Sequence, residues 1–392
     1  LPPQSASGAQ VLALVQEDWL VAKNEEAVFQ WVVRWQEAAQ PTEAELLAAM
    51  KHVRFAAMDA GFVQATVLAW PKLDSKKGLR LVLDSTLGVG RAIQRSGFGP
   101  RLVYVLGGTN ANAHDLSMVD VYDPLTEGWK HVSSMPTRRG RHSGVALDGK
   151  IYVVGGSGEE GIILSTAAVY DPQSDSWQPF ADMASGRTAF AATAAGGKIY
   201  AIGGENNHGE TIATVEAFDP LLGAWAEVAS MSVARRLQAA AVVASKIYAV
   251  GGNDADGGRL DSVEMYDPQT NSWQWVASMP HTRTGHAATA MGGKIYVTGG
   301  VDLDGNEHLV NTDKVLVFDP QTNMWTQLAS MGTTRADHTS AAIGGKLYVF
   351  GGYCNSTDVR IASVEAYDPI SNTWAQVSDL TPARDDSVAV AL

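Results

Sequence analysis

Short apolar runs, separated by glycine, proline and aspartate, recur over the last three quarters of the chain. In residues 151–177 the run IYVVGG is followed by a polar loop, by a second run that ends in Tyr170-Asp171-Pro172, and by Trp177. Short runs rich in β-branched and aromatic residues, bounded by turn residues, are typical of strands rather than helices. The pattern therefore predicts a mainly β structure.

The same signs return at an almost constant distance. Glycine pairs begin at residues 107, 155, 203, 251, 299 and 351, in steps of 48, 48, 48, 48 and 52. Tryptophans follow at 129, 177, 225, 273, 325 and 374, and each of the first five lies 26 residues before the next glycine pair. Only the segment from glycine pair to tryptophan varies in length, so a variable loop follows the glycines.

Each unit is predicted to contain four strands. In the first complete unit these are residues 142–147, the run beginning at 151, residues 166–171, and a strand starting at Trp177. Units of this length with several strands indicate a propeller or another repeat array. The chain enters at strand two of a unit and leaves with SVAVAL, residues 387–392, which reads as strand one. We therefore expect residues 98–392 to form a six-bladed propeller whose C-terminal strand closes the ring and removes its exposed edges.

The first hundred residues have a helical pattern instead. Asn24 is a candidate N-cap, and Thr42 with Glu45 forms a capping-box pattern. Gly97, Gly99 and Pro100 mark a boundary. Residues 1–97 are therefore predicted to be a small all-α domain and linker.

Charge and cysteine content limit the classes of partner. The net charge is −13, and residues 101–392 account for all of it, with 19 Lys and Arg against 32 Asp and Glu. An acidic surface repels phosphate backbones, so nucleic acid is not an expected partner. No run is long enough to span a membrane, and the single cysteine, Cys354, favours a reducing compartment such as the cytoplasm.

These features together resemble the Kelch repeat family. The resemblance rests on the double glycine, the Tyr-Asp-Pro, the spaced tryptophan and the Met-x-x-x-Arg that follows it, and it covers residues 101–392. Phe218 and Phe318 replace the tyrosine, and Leu380 replaces the methionine. Residues 13–35 and 45–55 are similar to the BACK domain, the helical linker between BTB and Kelch domains.

The resemblance implies a BTB-BACK-Kelch protein whose N-terminal part is incomplete here. Such proteins commonly act as substrate adaptors of cullin-3 ubiquitin ligases, so the implied partners are a protein substrate or short peptide motif and cullin-3. The BTB domain would also make the full-length protein a homodimer. An alternative from the same family is a cytoskeletal scaffold that binds actin. No catalytic motif, cofactor or metal is expected, although some Kelch propellers are enzymes.

Candidate binding residues come from two kinds of loop. In a four-stranded meander, the loop entering strand one (the 4–1 loop) and the loop between strands two and three (the 2–3 loop) share one rim. The first kind carries an arginine in every unit, at positions Arg139, Arg187, Arg235, Arg283, Arg335 and Arg384. The second kind begins with Thr109, Ser157, Glu205, Asn253, Val301 and Tyr353. Arginine binds carboxylates in bidentate fashion, so the arginines are candidates to hold an acidic peptide, as they do in some Kelch adaptors. The alternative is that they bond carbonyls or acids within the blades.

Other residues leave the ligand open. Acidic side chains crowd the 2–3 loops and would repel a long acidic peptide: Asp115, Glu159, Glu160, Glu205, Glu210, Asp254, Asp256, Asp302, Asp304, Glu307 and Asp358. Cys354 is either an ordinary loop cysteine or an exposed thiol sensor. His142, His286 and His338 share one repeat position, but the other blades lack histidine there, which argues against a metal site.

Overall fold

The structure is a computed structural model and describes residues 102–303 and 308–392. The predicted helical domain at residues 1–97 lies outside these ranges. Within them the only helical element is a short 3-10 turn at Glu159–Gly161. No helix of the described part is long and apolar enough to cross a membrane.

Six four-stranded antiparallel sheets make up the described residues, which confirms the predicted propeller. The innermost strands, one per blade, are Val388–Ala391, Ser143–Leu147, Ala191–Ala195, Ala239–Val243, Ala287–Met291 and Thr339–Ile343. The second strands are Val103–Leu106, Lys150–Val154, Lys198–Ile202, Lys246–Val250, Lys294–Thr298 and Lys346–Phe350. The third strands are Val119–Asp123, Ala167–Asp171, Val215–Asp219, Val263–Asp267, Val315–Asp319 and Val364–Asp368. The outermost strands are Gly128–Val132, Ser176–Phe180, Ala224–Val228, Ser272–Val276, Met324–Gln327 and Thr373–Val377.

The first blade contains both ends of the propeller sequence. Its innermost strand, Val388–Ala391, pairs with Val103–Leu106 in antiparallel register, with Val103 opposite Ala391. Outside this ladder, the amides of Leu102 and Leu392 each donate to the other residue's carbonyl. Because the last strand completes the first blade, the sheet order closes the ring.

Tryptophan at the start of each outer strand links neighbouring blades. Each indole Nε1 donates to a backbone carbonyl just after strand four of the preceding blade, over 2.7–3.1 Å. The indole also packs on the aromatic ring of its own third strand; Tyr266 and Trp273, for example, have ring centroids 5.1 Å apart. A half-buried aromatic side chain with a satisfied polar atom stabilises such a contact. The tryptophans are therefore structural.

The glycine pairs permit a close approach between blades. Gly155 and Gly156 have φ of 59° and 95°, a conformation that side chains disfavour. A Cβ on Gly155 would lie 2.6 Å from the carbonyl oxygen of Arg187 and 2.8 Å from Cε1 of Phe190, both of the next blade. The repeat of glycine at this position therefore follows from backbone packing.

Candidate functional site

The 4–1 and 2–3 loops meet on one rim, as the meander requires. In the third blade, Arg187–Thr188 of the 4–1 loop forms a two-residue ladder with Glu205–Asn206 of the 2–3 loop. In the first blade, Thr109–Asn110 and Arg384–Asp385 pair in the same way. The variable loops and the segment carrying the repeated arginines thus form a continuous surface.

The six repeated arginines themselves are buried, with 0–2% of their surface exposed. In five of them the guanidinium Nη1 donates to two backbone carbonyls of its own blade. For Arg235 these acceptors are Gly251 at 3.0 Å and Ser262 at 2.9 Å. Arg384 differs, since its Nη2 lies 3.4 Å from the Val105 carbonyl and 2.5 Å from Asp120.

Four of these arginines also bind a buried carboxylate of the third strand. The pairs are Arg187–Glu216, Arg235–Glu264, Arg335–Glu365 and Arg384–Asp120, with N–O distances of 2.5–3.1 Å. Arg139 and Arg283 have no such partner among the described residues. Burial lowers the pKa of each of these two arginines to about 10, against the opposing charge of Asp182 for Arg139 and of Asp302 and Asp313 for Arg283.

This burial corrects the expectation that the repeated arginines hold an acidic peptide. Their guanidinium groups are enclosed by the blade and already bonded to carbonyls and carboxylates, so a partner on the rim does not reach them. The structure assigns them to the scaffold, which is the alternative considered above.

The six candidate loop residues occupy equivalent, half-buried positions on the rim. Each lies between a residue of the 4–1 loop and a second residue of its own 2–3 loop, paired to both by backbone bridges. The rows are Asp385–Thr109–Asp115, Gly140–Ser157–Ile163, Thr188–Glu205–Thr211, Arg236–Asn253–Arg259, Thr284–Val301–Asn311 and Ala336–Tyr353–Arg360. Because the backbone pairing is equivalent in each row, the blades differ there in their side chains and in loop length.

Two ion pairs lie on this rim. Arg236 forms an ion pair with Glu205. Arg360 binds Asp385 at 2.9 Å, and its guanidinium carbon lies 5.8 Å from the centre of the Tyr353 ring. At both places an arginine of the rim is paired with a carboxylate, so neither forms a free basic centre.

A second ring, which the sequence reasoning missed, lies two residues after each repeated arginine. We call these six residues the mouth ring: Arg141, Ala189, Leu237, Gly285, Asp337 and Asp386. All have φ between 50° and 61°. Each amide donates to the carbonyl of the ring member in the preceding blade, over 2.8–3.1 Å, so six hydrogen bonds run in a closed circle.

The mouth ring surrounds the opening of an axial cavity of about 220 Å³. Small residues of the innermost strands line the cavity below it: Ala192, Ala240, Ala288, Ser340 and Ala389. Arg141 binds Asp386 at 3.0 Å, and the Asp337 carboxylate makes no hydrogen bond or ion pair with the described residues. Desolvation and the charge of Asp386 raise the pKa of Asp337 above its usual value.

The three histidines lie just behind the mouth ring and are 6% exposed. Their imidazole Cε1 atoms lie close to the first glycine of the preceding blade's glycine pair, at Gly107, Gly251 and Gly299. Burial and neighbouring arginines lower the pKa of His142 and of His286 to about 3, and lower that of His338 as well. No group of three or more His, Cys, Asp or Glu side chains within residues 102–303 and 308–392 is arranged to hold a metal ion.

Two statements about the variable loops stay predictions: that Cys354 senses oxidants, and that the acidic side chains repel a long acidic peptide. The Sγ of Cys354 lies 3.2 Å from the Ser356 hydroxyl, and hydrogen bonds from Ser356 and Thr357 lower the pKa of the thiol to about 7. Whether it senses oxidants stays a prediction. Of the acidic residues in the loops, Asp302 is buried, and Asp304 and Glu307 lie outside the described residues.

Family models match both parts of the chain. Residues 189–384 match the KLHDC2/KLHL20/DRC7 Kelch-repeats domain. Residues 96–136 and 138–184 each match the Kelch motif. Residues 5–68 match the BACK domain (BTB And C-terminal Kelch).

One solved structure, titled "Structure of YjhT", has the same fold. It superposes with a TM-score of 0.61 at 17% sequence identity, covering 72% of this chain and 95% of the other. At this identity the likeness concerns the fold alone.

Proposed function

This chain belongs to the Kelch-repeat propeller proteins that carry a BACK domain, and we propose that it is a substrate-recognition adaptor of a cullin-3 ubiquitin ligase. In this proposal its target proteins bind on the rim formed by the 4–1 and 2–3 loops. The observation that supports the ligase role most is the BACK match at residues 5–68, directly before the propeller. Kelch propellers are generally interaction scaffolds rather than enzymes, which agrees with a binding role.

The rim supports the location of the site in two ways. Its six backbone rows are equivalent but carry different side chains, so the surface is chemically different from blade to blade. Its loops also carry exposed apolar side chains that a partner could cover, including Ile162 at 60%, Val359 at 54% and Leu309 at 49%. A rigid ring with dissimilar loops suits the selection of one protein among many.

Affinity capture tests the ligase role. The full-length protein would be captured from its native cells, with and without an inhibitor of cullin activation, and its partners identified by mass spectrometry. We expect cullin-3 among the partners, and at least one further protein that accumulates when cullin activation is blocked. Recovery of actin or actin regulators without any cullin would reject the ligase role and favour the cytoskeletal alternative.

A further inference from the structure

The mouth ring is divided into a charged half and an uncharged half. Asp337, Asp386 and Arg141 follow one another around the circle, and Ala189, Leu237 and Gly285 complete it. The Asp337 carboxylate oxygen Oδ1 lies over Gly285, only 2.5 Å from where a Cβ of that residue would be. The absence of a side chain at Gly285 therefore leaves room for Asp337 at the opening.

The charged half holds two carboxyl groups against one guanidinium group. Arg141 compensates Asp386, to which it donates from Nε at 3.0 Å. Asp385, the next acid, is compensated by Arg360. Asp337 has no such partner among the described residues, and burial first, then the charge of Asp386, raise its pKa against the opposing charge of Arg141. A further positive charge at the opening would favour the ionised form of Asp337, which burial and Asp386 disfavour.

The chemistry of the opening selects the kind of cation. A divalent metal requires about six oxygen ligands, and the ring offers two carboxylates, one of which Arg141 already occupies. An organic cation on an aliphatic stem fits better, because its stem can lie along Leu237 and Ala189 while its charged head reaches the carboxylates. The cavity of about 220 Å³ has room for one side chain but not for a folded element.

We propose that the mouth ring receives a lysine or arginine side chain of the partner protein, with its charged head between Asp337 and Asp386 and its stem against Leu237. The inference rests on the proposed protein-binding role and adds to it the chemistry of the bound segment. The partner segment carries a positive charge at the residue that enters the mouth ring. The acidic peptide expected from the sequence would carry a negative charge there.

Small probes test the preference without a known partner. N-acetyl-lysinamide and its neutral analogue N-acetyl-norleucinamide would be titrated into the full chain and followed by NMR. We expect the lysine probe to bind about tenfold more tightly, the ratio that 1.4 kcal/mol provides. Equal affinities for the two probes would overturn the inference.

Variants locate the effect at the mouth ring. Asp337→Asn should bring the lysine probe to within about twofold of the neutral probe, while Arg141→Gln should strengthen its binding by removing a competing cation. Asp148→Asn, at a turn on the opposite rim, removes the same charge and also has positive φ, so it serves as the matched control. A lysine preference that survives in Asp337→Asn unchanged would overturn the inference, and thermal unfolding of each variant would show whether the fold is intact.

The two proposals fail separately. If partner capture depends on the rim but neither capture nor probe binding responds to Asp337→Asn, this inference fails and the adaptor role stands. If the probes behave as expected but no captured protein depends on the rim, the adaptor role fails and the preference of the mouth ring stands.

Discussion

Each repeated arginine holds its blade together and joins it to the blade before. The carbonyl of Arg235 accepts the Gly204 amide of the preceding blade at 2.7 Å, and all six blades repeat this bond over 2.7–2.9 Å. Its guanidinium group meanwhile binds strands two and three of its own blade, including Glu264. An arginine in every blade thus follows from packing alone, without a ligand.

Replacing a paired arginine should cost more stability than replacing an unpaired one. Arg235→Met leaves the buried Glu264 charge uncompensated, so we expect a loss of about 3–5 kcal/mol in the free energy of unfolding. Arg283→Met leaves only two carbonyls without their donor, and we expect a loss of about 1–3 kcal/mol. Denaturant unfolding measures both, and a larger loss for Arg283→Met would contradict the account.

At the scale of the strand, the innermost strand of each blade has small side chains where the six strands lie close together around the axis. Its positions facing the cavity carry mostly alanine or serine, and the side chain just before the strand fills the gap between blades. The residue at this position is Ser387 in the first blade and, in the second to sixth blades, His142, Phe190, Gln238, His286 and His338. Because this position accepts side chains of several sizes and shapes, histidine can occur there without binding a metal ion.

These histidines should make the propeller sensitive to acid. The folded pKa of His142 and of His286 is about 3, below the ordinary 6.5, so between these values the native state binds fewer protons than the unfolded chain. Stability is therefore lost as the pH falls, by about 1.4 kcal/mol per pH unit for each histidine.

Glutamine should remove this sensitivity, since Gln238 fills the same position in another blade and donates to the Ile202 carbonyl at 2.7 Å. The double variant His142→Gln with His286→Gln should lose less unfolding free energy between pH 7 and pH 4 than the wild type. Denaturant unfolding at the two pH values measures the difference. The same loss in both proteins would show that other groups cause the acid sensitivity.

Over the whole molecule, closure depends on one strand. Deleting residues 388–392 would expose the edge of Val103–Leu106, a buried apolar strand, and an unpaired edge of this kind invites association. We expect the deletion to lower the melting temperature and to produce oligomers in light scattering. Val390→Ala, which keeps the backbone pairing, should remain monomeric by the same measure. A monomeric deletion variant would contradict the role of the strand in closure.

The repeat spacing allowed much of the fold to be predicted. The predicted strands at 142–147 and 166–171 are observed as Ser143–Leu147 and Ala167–Asp171. The arginines were harder to interpret, because a buried and an exposed arginine look alike in a repeat. A signal did exist: Glu216 and Glu264 each follow their arginine by 29 residues, on the third strand.

The mouth ring could not be predicted from residue types. Its left-handed conformation is common for Gly285 and tolerated by Asp337, but unusual for Arg141, Ala189 and Leu237. Tertiary hydrogen bonds between blades impose this conformation, and no local sequence pattern encodes them.

The central claim is that partners bind on the rim of the 4–1 and 2–3 loops. It is tested most directly by capture with two matched variants of the full-length protein. The rim variant places glutamate at Ile162, Leu309 and Val359, and the control places it at three turns of the opposite rim, Leu125, Leu221 and Ile370, which are 82–96% exposed.

Both variants add three negative charges in place of exposed apolar side chains, so they differ only in the face they alter. Quantitative mass spectrometry would compare the proteins captured by each variant with those captured by the wild type. The account predicts that partners are lost from the rim variant and retained by the control. Partners retained by the rim variant, or lost from the control alone, would contradict it.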